Sequence, residues 1–381
     1  MREPGSGPIA LFFATSGHSG VDRVVANLVR EFANVDRPFD LVTIGGHGPY
    51  IDELPDNVRH VPLRAAHRNT VLPALIAYLL RHRPRALYTA SHRLNRAALL
   101  ARALARPRMP VAIRMGMSVA ATLEALPGRR ARRLQRSMQR WYPRADAVIA
   151  PSAGVGEDLR RLAGVAQSRL HVIPNPIVTP ALLKQASEDP DHPWLAEHRD
   201  PAVPVILGTG SLEPRKGFAT LLRAFARLRT QRPARLIILG EGRERPALEG
   251  LARELDIMDD LCLPGFQGNP YAWMARADAF ALTSRREGSG AVLVEALACG
   301  TPAVTTDCPT GPADILGHGQ HGPVVPMDDD AALAEALHQL LDHPPTPGTL
   351  RRAVTPFDAT HSACAYLAAL NLAPPPAHPG A

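Results

Sequence analysis

The sequence predicts an α/β protein built from two doubly wound parallel-sheet domains, and three observations carry that reading. Short, continuously apolar runs recur along the 381 residues, with segments of helical pattern between them. The length suits two ordinary domains better than one. A dense run of prolines near the middle divides the chain into two similar halves.

Candidate strands in the first half are residues 9–14, 39–44, 58–62, 86–89, 111–115, 147–150 and 170–173. Those in the second half are 204–209, 235–239, 261–264, 279–283, 303–305 and 322–325. Continuous rather than alternating apolarity is what a parallel strand covered on both faces requires. Helical segments between such strands give βαβ units, and hence two Rossmann-like domains. Between them, 179–203 holds Pro180, Pro190, Pro193 and Pro201 and reads as a linker. The expected organisation is a first domain over 1–178 and a second over 204–350. A final helical segment covers 351–372, and the Pro-rich tail 373–381 has the composition of a disordered segment.

Composition bounds the rest. A hydrophobic fraction of 45% supports a sizeable core. Cys262, Cys299, Cys308 and Cys364 have no C-x-x-C spacing and read as reduced thiols of a cytoplasmic protein. The apolar run 9–14 is too short for a signal core or a membrane span, so the expectation is a soluble protein or one resting on a membrane surface. The net charge of +7 is unevenly spread. Residues 1–180 carry 26 Lys and Arg against 12 Asp and Glu, and the remainder 17 against 24. A basic half points to an anionic partner.

The most informative stretch is 279–302, AFALTSRREGSGAVLVEALACGTP. A buried strand leads into a polar loop with Gly288 and Gly290, then a helix over about 290–299 closed by Gly300 and Pro302. A glycine loop before a helix N-terminus presents free amides and the positive end of the helix dipole, which together favour an anion. Glu287 in the loop and Glu295 inside the helix can face one crevice. Glu287 also reads as a loop charge and Glu295 as a solvated helix position, but a lone carboxylate among Ala, Val and Leu is costly without a partner.

At this point the chain resembles the family-4 retaining glycosyltransferases of GT-B fold. The E-x7-E spacing of Glu287 and Glu295 carries the resemblance, followed by 298–304 (ACGTPAV) and 307–316 (DCPTGPADIL). Segments 150–152 (APS), 173–177 (IPNPI), 208–218 (GTGSLEPRKGF) and 236–242 (LIILGEG) extend it over most of the chain. The resemblance implies two Rossmann-like domains facing a cleft, with the last helix crossing back to the first domain. It implies a hexosyltransferase-type activity moving a sugar from a nucleotide-diphosphate sugar, most simply a UDP-sugar, with retention of anomeric configuration. The acceptor would be a glycan or lipid-linked molecule of bacterial polysaccharide synthesis.

By the same resemblance Glu287 lies by the donor sugar and Glu295 binds the ribose hydroxyls. The amides of Gly288, Ser289, Gly290, Ala291, Val292 and Leu293 line the sugar and diphosphate, with Gly242 nearby. Lys216, one of two lysines in the chain, follows a strand and a Glu-Pro turn and is a point charge suited to phosphate. Where the family has an Arg five residues before this Lys, the chain has Ser211, and Arg215 is the available substitute. The loop at 16–25 is similar to the family's glycine loop, with Gly20 allowing close approach of a phosphate or acceptor; a plain strand–helix turn is an equal reading. For the histidine that many relatives place near the reacting carbon, His18 and His92 are the candidates.

No metal site or cofactor is read from the sequence. Asp189 and Asp191 lie in the Pro-rich stretch, and 328–330 reads as a helix cap. Finally, 126–144 carries seven arginines and no acidic residue. Arg129, Arg130, Arg132, Arg133, Arg136 and Arg140, with Trp141, form a candidate face for an anionic membrane or acceptor. Leu134, Met138, Trp141 and Tyr142 make an apolar strip that suits either lipid or the domain's own core. Nucleic acid is not expected, since no recognition motif accompanies the charge. Two other classes stand beside the transferase: a nucleotide-sugar epimerase of the same fold, and a non-catalytic nucleotide-sugar-binding partner.

Overall fold

A computed structural model describes residues 7–14, 20–35, 37–44, 54–65, 70–106 and 108–372. Two parallel sheets organise the chain. The first contains β1 (Ile9–Phe12), β2 (Phe39–Ile44), β3 (Val58–Leu63), β4 (Ala86–Ala90), β5 (Val111–Arg114), β6 (Ala147–Ala150) and β7 (Leu170–Val172), in the order β3-β2-β1-β4-β5-β6-β7. The second contains β8 (Val205–Thr209), β9 (Arg235–Leu239), β10 (Leu261–Gly265), β11 (Ala279–Leu282), β12 (Ala303–Thr306) and β13 (Val324–Val325), in the order β10-β9-β8-β11-β12-β13. Every strand pair is parallel.

Each apolar run of the sequence has become a strand, with ends trimmed or extended by one or two residues. The reason for continuous apolarity is visible in β1. Ala10 and Phe12 enter the core on one face of the sheet, while Ile9 and Leu11 enter the core on the other. Helices cover both faces, so neither side-chain register can be polar.

The chain divides into two compact units, residues 1–177 with 358–381, and residues 178–357. The last helix, Ala359–Ala368, shares the core of the helix Gly20–Ala33 on the first sheet. Tyr88 Oη donates to the Tyr366 carbonyl at 2.6 Å, Thr360 Oγ1 to Glu31 at 2.8 Å, and Ser362 Oγ to the Pro174 carbonyl at 2.9 Å. The helical segment expected over 351–372 is in fact two helices, Pro347–Val354 and Ala359–Ala368, separated by a 3-10 turn at Thr355–Phe357.

The stretch 179–203 is not the bare linker that its prolines suggest. Thr179 caps a helix over Pro180–Ala186 by accepting the Leu182 amide at 3.1 Å, with Pro180 in the first turn. Proline there costs no hydrogen bond and presets the helical φ, so the residue read as a breaker is a start signal. Arg199 then holds Asp278 through two bonds of 2.8 Å, tying the stretch to the second sheet. The tail 373–381 lies outside the described residues. Among the described residues no helix is long and apolar enough to cross a membrane, and all four cysteines are free.

Candidate functional site

In the second sheet the strand order reverses at β8, whose neighbours are β9 and β11. Loops leaving the C-terminal ends of adjacent strands diverge at such a point and leave a crevice, the usual ligand position in open α/β sheets. The loops there are 210–217 after β8, 240–242 after β9, 283–290 after β11 and 307–311 after β12.

Lys216 and Glu287 meet in this crevice. Lys216 Nζ donates to Glu287 Oε1 at 2.5 Å, and both side chains are nearly buried, 8% and 11% exposed. Their loops are locked together below this pair. The Thr283 hydroxyl donates to the Lys216 carbonyl at 3.0 Å, and the Arg285 amide to the Arg215 carbonyl at 2.8 Å. Gly217 sits between them at φ 66°, where a Cβ would lie 2.1 Å from the Thr283 carbonyl oxygen. We expect Gly217→Ala to lower stability by at least ~1 kcal/mol, because the αL conformation and the contact both disfavour a side chain. A thermal melt unchanged from wild type contradicts this tight joint.

Glu287 is further held by two groups that sequence reasoning missed. Ser284, fully buried, donates to Glu287 Oε1 at 2.7 Å, and Thr310 Oγ1 donates to the Glu287 carbonyl at 2.9 Å. Small hydroxyl residues in loops leave no periodic trace. The only signal was their position, one just past a buried strand and the other in the 307–316 motif.

Gly290 opens the helix Ala291–Ala298 at φ 61°, with Ile315 and Pro312 packed where its side chain would go. The amides of Ala291 and Val292, in the first turn, have no carbonyl one helical turn upstream and face the loop. Leu293 does not belong with them. Its amide donates to the Gly290 carbonyl at 2.9 Å and its side chain is fully buried, so the expected row of donor amides ends at Val292. Glu295, one turn on, is 3% exposed in this otherwise apolar helix, which removes the reading of a solvated helix position.

Arg215 reaches toward the residue that replaces the family's arginine: its Nη2 donates to Ser211 Oγ at 3.0 Å, and its Nε to Glu213 at 3.1 Å. Gly242 lies against the same loop, since the Leu212 amide bonds the Glu241 carbonyl and the Glu244 amide bonds the Leu212 carbonyl. The structure thus brings Ser211, Arg215, Lys216, Gly242, Glu287 and the start of the 291–298 helix into loops at one end of one sheet. Cys308 is nearby, and burial, then the Glu287 charge, pushes its thiol up to about 11. Burial likewise, with Glu295 next, pushes Cys299 up to about 12. Neither is a thiolate nucleophile at neutral pH.

The remaining candidates are in the first unit. His18 lies outside the described residues, and Gly20 is the first residue of the helix Gly20–Ala33. His92 starts the helix His92–Ala105, its Nδ1 3.1 Å from the Tyr142 hydroxyl. Burial, reinforced by Arg96 and Arg93, pushes its imidazole down to about 4, so it is neutral at physiological pH.

The basic segment forms the helix Gly128–Trp141. Arg129, Arg130, Arg132, Arg133, Arg136 and Arg140 are exposed. The apolar strip is not: Met138 and Tyr142 are fully buried, with Leu134 and Trp141 packed against the same core. The strip that suited lipid is used up by the fold, and the free face is guanidinium alone. Among the described residues no three His, Cys, Asp or Glu side chains converge as a metal site. Asp189 accepts the Asp191 amide at 2.9 Å, and Asp329 caps its helix by accepting the Ala332 amide at 2.9 Å.

Comparison with known proteins agrees with this architecture. Residues 18–179 match the model described as Glycosyltransferase Family 4, and residues 196–355 that described as Glycosyl transferases group 1. The chain is 33% identical, over 201 residues, to the N-acetylgalactosamine-N,N'-diacetylbacillosaminyl-diphospho-undecaprenol 4-alpha-N-acetylgalactosaminyltransferase of Campylobacter jejuni, covering 53% of this chain and 52% of that one. It spans about half the length of the curated relatives it matches. Among solved structures it is similar to the apo form of the lipopolysaccharide outer core galactosyltransferase WaaB, with TM-score 0.71 and 18% identity over 95% of this chain and 99% of that one. The Anabaena protein HepE in complex with UDP gives TM-score 0.73 and 20% identity over 93% and 97%. These neighbours share the two-domain GT-B fold.

Proposed function

Because the chain belongs to the family-4 glycosyltransferases through its two matched halves, we propose that it transfers a sugar from a nucleotide-diphosphate sugar to a glycan or lipid-linked acceptor. The observation that carries this reading is the buried Lys216–Glu287 pair beside the N-terminus of the 291–298 helix, at the point where the second sheet reverses its strand order.

The chemistry follows from those groups. The leaving diphosphate accumulates negative charge as the glycosidic bond breaks. Lys216, with Arg215 beside it, and the amides of Gly288, Ser289, Gly290, Ala291 and Val292 are aimed where that charge develops. Fixed donors in a water-poor site need no reorganisation at the moment of reaction. Glu287, held by Ser284 and Lys216, presents its carboxylate to hydroxyls of the donor sugar. Glu295 accepts from the ribose hydroxyls, which need strong acceptors. Transfer proceeds with retention and without a divalent metal, so excess EDTA leaves the rate unchanged. His92 is a neutral acceptor candidate in the first unit. UDP-sugars are the first donors to try, since a similar fold has been solved with UDP.

The acceptor side rests on charge. The similar Campylobacter enzyme is named for a diphospho-undecaprenol substrate, and an acceptor of that kind sits in an anionic membrane. The exposed guanidinium face of the 128–141 helix suits peripheral attachment to such a surface, with each cation near it worth about 1 kcal/mol. Changing Arg129, Arg130, Arg132 and Arg133 to Gln is expected to reduce sedimentation with phosphatidylglycerol vesicles at least tenfold at low salt. High salt should erase the difference. Equal sedimentation of variant and wild type removes the membrane reading and leaves the donor reading standing.

A further inference from the structure

A second concentration of positive charge lies at the opposite end of the first sheet, away from the C-terminal strand ends. Gly7 precedes β1, Arg83 and Arg85 precede β4, and Met109 and Pro110 precede β5, so the N-terminal ends of three adjacent strands border one hollow. The chain returns there after its last helix, at Leu370–Leu372. The cavity is about 630 Å³, within the range of small-molecule sites.

Its lining is unusual in charge. Arg83, Arg85, Arg106 and Arg108 all border it, and among the described residues no carboxylate does. None of these four guanidinium groups makes an ion pair or hydrogen bond with another described residue. Arg106 Nη1 is shielded from solvent and has no partner among the described residues. Arg37 lies close enough to disfavour the charge on Arg85, which burial, the larger cause, already disfavours, and Arg37 Nη1 is likewise shielded and without a partner among the described residues. Arg199, by contrast, is paired with Asp278, and the buried Arg114 donates from Nη2 to Asn175 Oδ1 at 2.6 Å. Like charges gathered on low-dielectric walls repel one another and focus a positive potential into the hollow. The floor is apolar, with Met109 and Leu372 buried.

We propose that this cavity is a binding site for a phosphate ester, its phosphate held by the guanidinium forks of Arg85 and Arg106 and its apolar portion on Met109 and Leu372. Arginine is the side chain suited to this task, because its planar fork donates two parallel hydrogen bonds to phosphate oxygens. A bound anion supplies the missing acceptors and relieves the repulsion together. The site lies within the first unit and does not depend on the donor crevice. The ester can be a soluble metabolite or a lipid headgroup, which share this chemistry.

Calorimetric titration with inorganic pyrophosphate tests the site, using full-length Lys216→Ala protein so that the donor crevice does not compete. This protein is expected to bind pyrophosphate, and adding Arg85→Gln and Arg106→Gln is expected to weaken binding at least tenfold. The exposed pair Arg83→Gln and Arg108→Gln, with little consequence for folding, should weaken it several-fold in the same background. No binding to Lys216→Ala protein, or equal binding by all three proteins, overturns the proposal. Once binding is lost in the variant, unchanged association with phosphatidylglycerol vesicles assigns the site to a soluble ester, and reduced association to a headgroup; both uphold it.

Discussion

Replacing Lys216 with Ala is expected to lower kcat/KM for sugar transfer by about two to three orders of magnitude, the size of effect typical when one fixed donor to a developing charge is removed. The ammonium is nearly buried and fixed against Glu287 at 2.5 Å, so its position is set before any donor arrives. On the proposed function, a donor diphosphate adds a second anion beside that cation. Lys216→Arg is an informative companion, because a planar fork does not reproduce a compact ammonium in a tight turn. It should recover little of the loss. The measurement is initial-rate kinetics with the preferred donor. A Lys216→Ala enzyme within threefold of wild type removes the residue from the reaction.

Replacing Glu295 with Ala is expected to act on binding more than on chemistry. A buried carboxylate accepting ribose hydroxyls makes charge-assisted hydrogen bonds of about 1.5–3 kcal/mol, so donor affinity should fall roughly tenfold to a hundredfold. Glu295→Gln keeps the shape and loses the charge, and should fall between Ala and wild type. The ribose and diphosphate are common to substrate and product, so the variant should weaken the free nucleotide diphosphate in parallel with the sugar donor. A loss confined to the sugar donor would instead place Glu295 near the sugar.

The sequence made the sheets legible and the site only partly so. Strands such as β1 and β11 could be read because both-face burial forces unbroken apolar runs, here 9–12 and 279–282. The helix at 180–186 was hidden because proline has two meanings, breaker within a helix and favoured starter in its first turn, and Thr179 decides between them only through its cap bond. The apolar strip at Leu134, Met138, Trp141 and Tyr142 had the right period for lipid or for core, and only packing distinguishes them. In the site, Glu287, Glu295 and Lys216 stood out as charges where charge is costly or rare. Ser284 and Thr310, which hold Glu287, did not, since their roles are geometric and arise between loops brought together by the sheet. Leu293 was misjudged as a donor because the closure of the first helical turn onto Gly290 is a matter of backbone angle, not residue type.

On the proposed function, the second unit binds a nucleotide-diphosphate sugar through Glu287, Glu295 and Lys216. The most direct test is calorimetric titration of the wild-type protein and Glu295→Ala with UDP-, GDP- and ADP-sugars. One of these donors is expected to bind the wild-type protein, and the variant to bind it at least tenfold more weakly. Absence of binding by all three donors, or equal affinity in the two proteins, contradicts this reading.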